Sequence, residues 1–109
     1  TPSLSLTTRR PFDRNNLKAL ILGLTVEQAP FAALPNVAAE VEGVQKILGG
    51  TELVDRAFTL TSMQQRLEQT SYPIIHMATH GKFGADAAST FLLAYGDRIT
   101  INELDEVLR

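Results

Sequence analysis

Two short stretches of this chain are apolar at consecutive rather than alternate positions, and this limits its architecture more than any other feature. Leu17 to Leu24 reads Leu-Lys-Ala-Leu-Ile-Leu-Gly-Leu, and Pro73 to Thr79 reads Pro-Ile-Ile-His-Met-Ala-Thr. A strand with one face in water alternates apolar and polar residues, whereas a strand covered on both faces does not have to. Both runs are short, and the second is bounded by Pro73 and by His80-Gly81, so they read as buried strands. The rest of the chain must then supply two covering layers.

The intervening residues supply them. Thr25 to Pro35 holds two prolines and little periodicity, which marks a loop, with Phe31 and Leu34 tucked against the core. Pro35-Asn36 is a helix-start signal, Asn36 offering a side-chain acceptor to the first turn. Val37, Val41, Val44 and Leu48 then form one helical stripe, closed by Gly49-Gly50 at a left-handed C-cap. Glu52 to Phe58 is a second strand. Thr61 to Gln64 has the spacing of a capping box, leading a short helix whose buried side is Met63 and Leu67. Strand, helix, strand, helix, strand at these lengths predicts right-handed crossovers and a parallel sheet with helices on both faces. Ser89 to Ile101 reads as a hairpin around Gly96-Asp97, and Asn102 as the cap of a last helix through Leu104, Val107 and Leu108. Residues 1–16, with Leu4 and Leu6 alternating against Ser3 and Ser5, are a strand stub and linker, and residues 17–109 form one domain.

One hundred and nine residues, 44% of them apolar, suffice for a single core that needs no disulfide or metal. The absence of cysteine excludes disulfide scaffolds, thiolate zinc sites and any cysteine nucleophile within these residues. A net charge of −2 with no basic run longer than Arg9-Arg10 argues against nucleic acid as a partner. The sequence has no apolar run of membrane-spanning length and no signal-peptide pattern at its start, so the expectation is a cytoplasmic chain with no membrane partner and no cofactor. A start at Thr1 and an end at Arg109, inside a helix-like pattern, give the further expectation of a piece of something longer.

In open α/β sheets chemistry gathers beyond the carboxyl ends of the strands. The tip of the first strand, Gly23-Leu24-Thr25-Val26, has neither the glycine fingerprint of a dinucleotide site nor a P-loop, and no acid pair, so Gly23 reads as a packing glycine. Asp55 and Arg56, at the second tip, have no obvious partner and read as solvated. At the third tip, Thr79-His80-Gly81-Lys82-Phe83 places an imidazole where a buried strand emerges, followed by a glycine whose amide a substrate oxygen can approach. His80 there can act as a general base and the Gly81 amide can help hold an oxyanion; equally, His80 can cap the strand and bond a backbone carbonyl. His76 stands about 13 Å earlier along the strand, too far to share a metal, and reads as a hydrogen-bonded core histidine. Ser62, Ser71 and Ser89 lack the nucleophile-elbow context, and Lys82, Phe83 and Asp86 are candidates for a substrate groove or simply a solvated loop. The base has no visible nucleophile.

Several segments in order resemble the CHAT domain, a caspase-like family often found after tetratricopeptide repeats in bacterial proteins. They are Leu34-Pro35-Asn36-Val37-Ala38-Ala39-Glu40-Val41, Leu48-Gly49-Gly50, Ile75 to Phe83 with its Ala-Thr-His-Gly core, Phe91-Leu92-Leu93-Ala94-Tyr95-Gly96-Asp97 and Ile99 to Leu104. Pro2 to Leu6 is similar to the segment that precedes the first core strand in that family. The resemblance implies an α/β, caspase-like three-layer sandwich with a mostly parallel sheet, ending before the strand that carries a nucleophilic cysteine. It implies that His80 is the general base and Gly81 the oxyanion amide of a cysteine endopeptidase whose substrate is a protein or peptide, inactive in this chain alone.

The alternative is a non-catalytic caspase-like interaction or regulatory module; a nucleotide-binding or phosphoacceptor domain is disfavoured by the missing glycine loop and acid pair. If the neighbouring strand is missing and neither the hairpin nor the last helix covers it, the strand at Ile74 to Thr79 should carry an open apolar edge, and the chain should self-associate through that edge or by exchanging its terminal segments.

Overall fold

A computed structural model describes residues 3–7, 18–86 and 89–108. Its main sheet has four strands in the order β1-β4-β2-β3: β1 (Ser3–Thr7), β2 (Ala19–Gly23), β3 (Gly50–Val54) and β4 (Ile74–Ala78). The pairs β2/β3 and β2/β4 are parallel, and β1 runs antiparallel to β4. Helix α1 (Val37–Leu48) connects β2 to β3 and α2 (Leu60–Gln69) connects β3 to β4. These crossovers step in opposite directions across β2, so crossovers of one hand place their helices on opposite faces. The side chains follow. Ala19, Ile21 and Ala78 pack with Val37 and Val41 of α1, while Leu20, Leu22, Ile75 and Met77 pack with Phe58 and with Met63 of α2. Every residue of β2 is buried, as its unbroken apolar run requires.

The second covering layer also holds a small antiparallel sheet, β5 (Gly81–Lys82), β6 (Phe91–Ala94) and β7 (Asp97–Thr100), followed by α3 (Ile101–Leu108). Phe91, Leu93, Ile99 and Leu104 close over the same core. The arrangement is the three-layer, mostly parallel α/β fold expected. Gly23 is the packing glycine anticipated, since a Cβ there would stand 2.8 Å from Val37 Cγ1 and 2.9 Å from Val41 Cγ2. Gly49 ends α1 at a positive φ of 70°, which suits glycine, but with ψ −177° rather than in the left-handed helical conformation expected.

Several boundaries differ from the expectations, each for a local reason. The second strand begins at Gly50 and ends at Val54; residues 55–57 turn in a 3-10 helix, because Asp55 adopts φ 53° and leaves the extended region. Asn36 occupies the N-cap position of α1 in a helical conformation, and its side chain makes no cap bond. For α2 the cap is Thr59, two residues before the expected Thr61: its Oγ1 accepts the Ser62 N–H at 3.0 Å. For α3 it is Thr100 rather than Asn102, in a reciprocal box with Glu103. Leu108 is on the exposed side of α3, whereas Leu104 and Val107 pack.

The open edge expected along Ile74 to Thr79 is occupied. Strand β1 pairs with β4 from Ser3↔Ala78 to Thr7↔Ile74, so that edge is not available to a second copy, and the outer strands of this sheet are β1 and β3. Leu17 and the linker expected over residues 8–16 lie outside the described residues.

Candidate active site

The chain leaves β2 toward α1 on one face and leaves β4 toward the small sheet on the other. Diverging exits of this kind, at the carboxyl end of a parallel sheet, mark the usual place for a site in such folds. The residues after β2 and after β4 meet there. His80, two residues past the end of β4, is half-buried, and its Nε2 donates to the Ala32 carbonyl at 3.0 Å. Phe31 lies against the same ring at 5.3 Å between centroids, and meets Phe91 edge-on at 6.3 Å.

A carbonyl oxygen only accepts, so the bond to Ala32 places the proton of the neutral ring on Nε2 and leaves the lone pair on Nδ1. No described residue meets Nδ1. The backbone-carbonyl contact anticipated as the alternative is therefore present, and it engages one nitrogen of the ring. The imidazole stands at the rim of the sheet and not within the core.

The backbone around it is fixed from the other layer. Leu93 N–H donates to the His80 carbonyl at 2.9 Å, and the buried Thr79 hydroxyl donates to the Leu93 carbonyl at 2.9 Å. Gly81 is paired with Leu92. With the His80 carbonyl bonded to Leu93, the Gly81–Leu92 pair is of the kind without mutual hydrogen bonds, so the Gly81 N–H points away from β6. A methyl at Gly81 would reach 2.8 Å from Leu92 Cδ2, a contact that a turn of that side chain can relieve.

The other candidates fall elsewhere. His76 faces α1, its Nε2 2.9 Å from Glu40 Oε2 and its Nδ1 bonded to the Ser5 hydroxyl, which is the hydrogen-bonded role expected of it. Both of its nitrogens are engaged, on the opposite side of the sheet from the residues that hold His80. Lys82, Phe83 and Asp86 are exposed, and Asp86 organises the turn to Ser89 and Thr90. A shallow groove of about 660 Å3 between α1 and β3 contains neither His80 nor Gly81. Among the described residues no three His, Asp or Glu side chains converge as a metal site would need, and no helix is long and apolar enough to cross a membrane.

Reading the sequence missed two features of this site. Asp55, expected to be solvated, accepts from the Thr25 amide at 2.7 Å and from its hydroxyl at 2.6 Å, tying the end of β3 to the end of β2. Asp tolerates the left-handed conformation better than most side chains, and the two bonds hold it there. The Ala32 carbonyl was unreadable for a different reason: any residue type offers one, so only the path of the loop can single it out.

A model of the CHAT domain family matches residues 1–109. No curated protein and no solved structure matches the chain.

Proposed function

The chain belongs to the CHAT domain family, a caspase-like, peptidase-related family, and we propose that it supplies the general-base half of a cysteine endopeptidase site. His80 is the base and the Gly81 N–H is one oxyanion donor. The nucleophilic thiol comes from outside these 109 residues, which contain no cysteine. The observation that carries the reading is the uncommitted Nδ1 of a ring whose other nitrogen is fixed by Ala32 at the rim of the sheet.

In the reaction, Nδ1 takes the proton of the thiol as sulfur attacks the peptide carbonyl carbon. The carbonyl oxygen becomes an oxyanion beside the Gly81 amide, and the protonated His80 then gives its proton to the leaving amine as the C–N bond breaks. Water, deprotonated by the same nitrogen, releases the acyl group and restores the thiol. Throughout, the Ala32 carbonyl accepts from Nε2–H, which keeps the ring oriented and favours the imidazolium formed midway. On the same reading the domain works in the cytoplasm beside tetratricopeptide repeats, and residues 1–109 alone hydrolyse nothing.

The second reading, a non-catalytic interaction module, is favoured by the Nε2–Ala32 bond, which is the contact a histidine that merely caps the strand would make. One assay separates the two. The natural polypeptide carrying this domain is incubated with an unfolded protein substrate, alongside its His80→Ala variant. Base catalysis predicts cleavage that falls about a thousandfold or more in the variant, under conditions where its circular dichroism shows it folded. Undiminished cleavage in the variant rejects the base assignment, and no cleavage by either protein selects the interaction module.

A further inference from the structure

The segment from Thr25 to Asn36 provides both groups that hold the His80 ring, and it has almost no regular structure with which to hold itself. Its hydrogen bonds show what does. Gln28 and Phe31 exchange backbone bonds, Gln28 N–H to the Phe31 carbonyl at 3.0 Å and Phe31 N–H to the Gln28 carbonyl at 2.8 Å. Gln28 is thus the direct partner of the residue that packs on the imidazole, one position before Ala32. Its side chain reaches across to the turn between β6 and β7. There Nε2 donates to the Ala94 carbonyl at 3.0 Å and lies 3.4 Å from the Asp97 carbonyl, while Oε1 accepts the Gly96 N–H at 2.8 Å.

We propose that Gln28 is a positioning residue for His80: its carboxamide straps the Thr25–Asn36 segment to the β6–β7 turn and so holds the Phe31 ring and the Ala32 carbonyl against the imidazole. Its importance for catalysis rests on the base role proposed above; the coupling itself is a property of this chain.

The hairpin is a fixed anchor. Tyr95 N–H donates to the Phe58 carbonyl at 2.8 Å, and Leu93 is bonded to the His80 backbone. A closed circuit results: His80 backbone, β6, the turn, Gln28, Phe31 and Ala32, and back to the His80 ring. The residue type fits the task. A carboxamide donates at one atom and accepts at the other, which the turn requires, since it presents carbonyls and an N–H together. Glutamate would set a carboxylate against the Ala94 and Asp97 carbonyls, and a hydrocarbon of equal length would offer nothing. The turn is itself exposed, so a partner that grips it has a handle on the imidazole some distance from any substrate.

The test uses residues 1–109 as they stand, whose only two histidines make their ring resonances separable by NMR. In Gln28→Met and Gln28→Glu, the His80 ring protons are expected to lose the shift imposed by Phe31. Exchange of the His80 Nε2–H with solvent should become about tenfold faster, the factor that loss of one ordinary hydrogen bond corresponds to. His76, held by Glu40 and Ser5, is the internal control and should not change. His80 signals that stay as in the parent chain in both variants overturn the proposal. So does equal loosening of both histidines, which reports general destabilisation. Because the readout is the imidazole and not peptide cleavage, failure here leaves the base role untouched, and failure of the base role leaves the strap untouched.

Discussion

His76 and His80 are four residues apart at the same strand, and their surroundings have little in common. His76 sits in the middle of β4, with its side chain 12% exposed, bonded at Nδ1 to Ser5 of the neighbouring strand and at Nε2 to Glu40 of the covering helix. His80 lies beyond β4, its backbone held by β6 and its ring reached by the loop that carries Phe31 and Ala32, and one nitrogen is bonded. A mid-strand position gives a side chain neighbours from two strands and a helix; a position past the strand end gives it whatever the loops bring. An imidazole with both nitrogens engaged fastens layers together. One engaged at a single nitrogen is oriented and still able to accept a proton.

The sharpest way to break this contrast is to remove each ring in turn. His76→Ala leaves Glu40 and Ser5 without their shared partner and opens space under α1, so it should lower unfolding stability by about 2–3 kcal/mol. His80→Ala gives up one hydrogen bond and a ring contact at a half-exposed site, and should cost no more than about 1 kcal/mol. Urea unfolding followed by circular dichroism measures both. Equal losses would mean that His80 is as structural as His76.

A subtler perturbation acts on one side only. Gly23→Ala puts a methyl where Val37 Cγ1 and Val41 Cγ2 lie 2.8 and 2.9 Å away. Both valines are stiff in a helix, so α1 itself has to shift, at about 1–3 kcal/mol. Glu40 rides on that helix between them. The variant should therefore lengthen the Glu40–His76 contact and leave the His80–Ala32 contact in place, which the two sets of imidazole shifts would report. Movement of His80 alone would show that the two sites are tied in a way the layered packing does not account for.

These two surroundings were unequally legible in the residue order. The core strands, α1 and its stripe, and the hairpin could be read because burial on both faces, helical periodicity and a Gly-containing turn leave local marks. His80 and Gly81 were readable as a strand-end pair for the same reason. What the residue order withheld is made of long-range contacts with weak local signatures. Ala32 enters the site through its backbone, Gln28 and Asp55 through single side chains acting across 68 and 30 positions. The pairing of β1 with β4 joins residues 71 positions apart at Ser5 and His76, and no rule of local spacing predicts it.

Helix starts are the intermediate case, because several cap-like residues stand near each boundary and only one stands at it. Thr-x-x-Gln at 61–64 and Asn102 have the right chemistry one or two residues inside helices that begin earlier, while Thr59 and the Thr100–Glu103 box hold the actual boundary positions. A cap side chain helps only from the boundary, where the free amides of the first turn point back at it. Thr59→Ala and Thr100→Ala should therefore each lower stability by about 1 kcal/mol, while Thr61→Ala and Asn102→Ala should stay within about 0.5 kcal/mol of the parent chain. Asn36→Ala belongs with the second pair, since its side chain caps nothing. Thermal unfolding of the five variants ranks them directly. A loss at Thr61 as large as that at Thr59 would place the start of α2 two residues later, and with it the Thr59–Phe58 segment whose carbonyl anchors the hairpin beside His80.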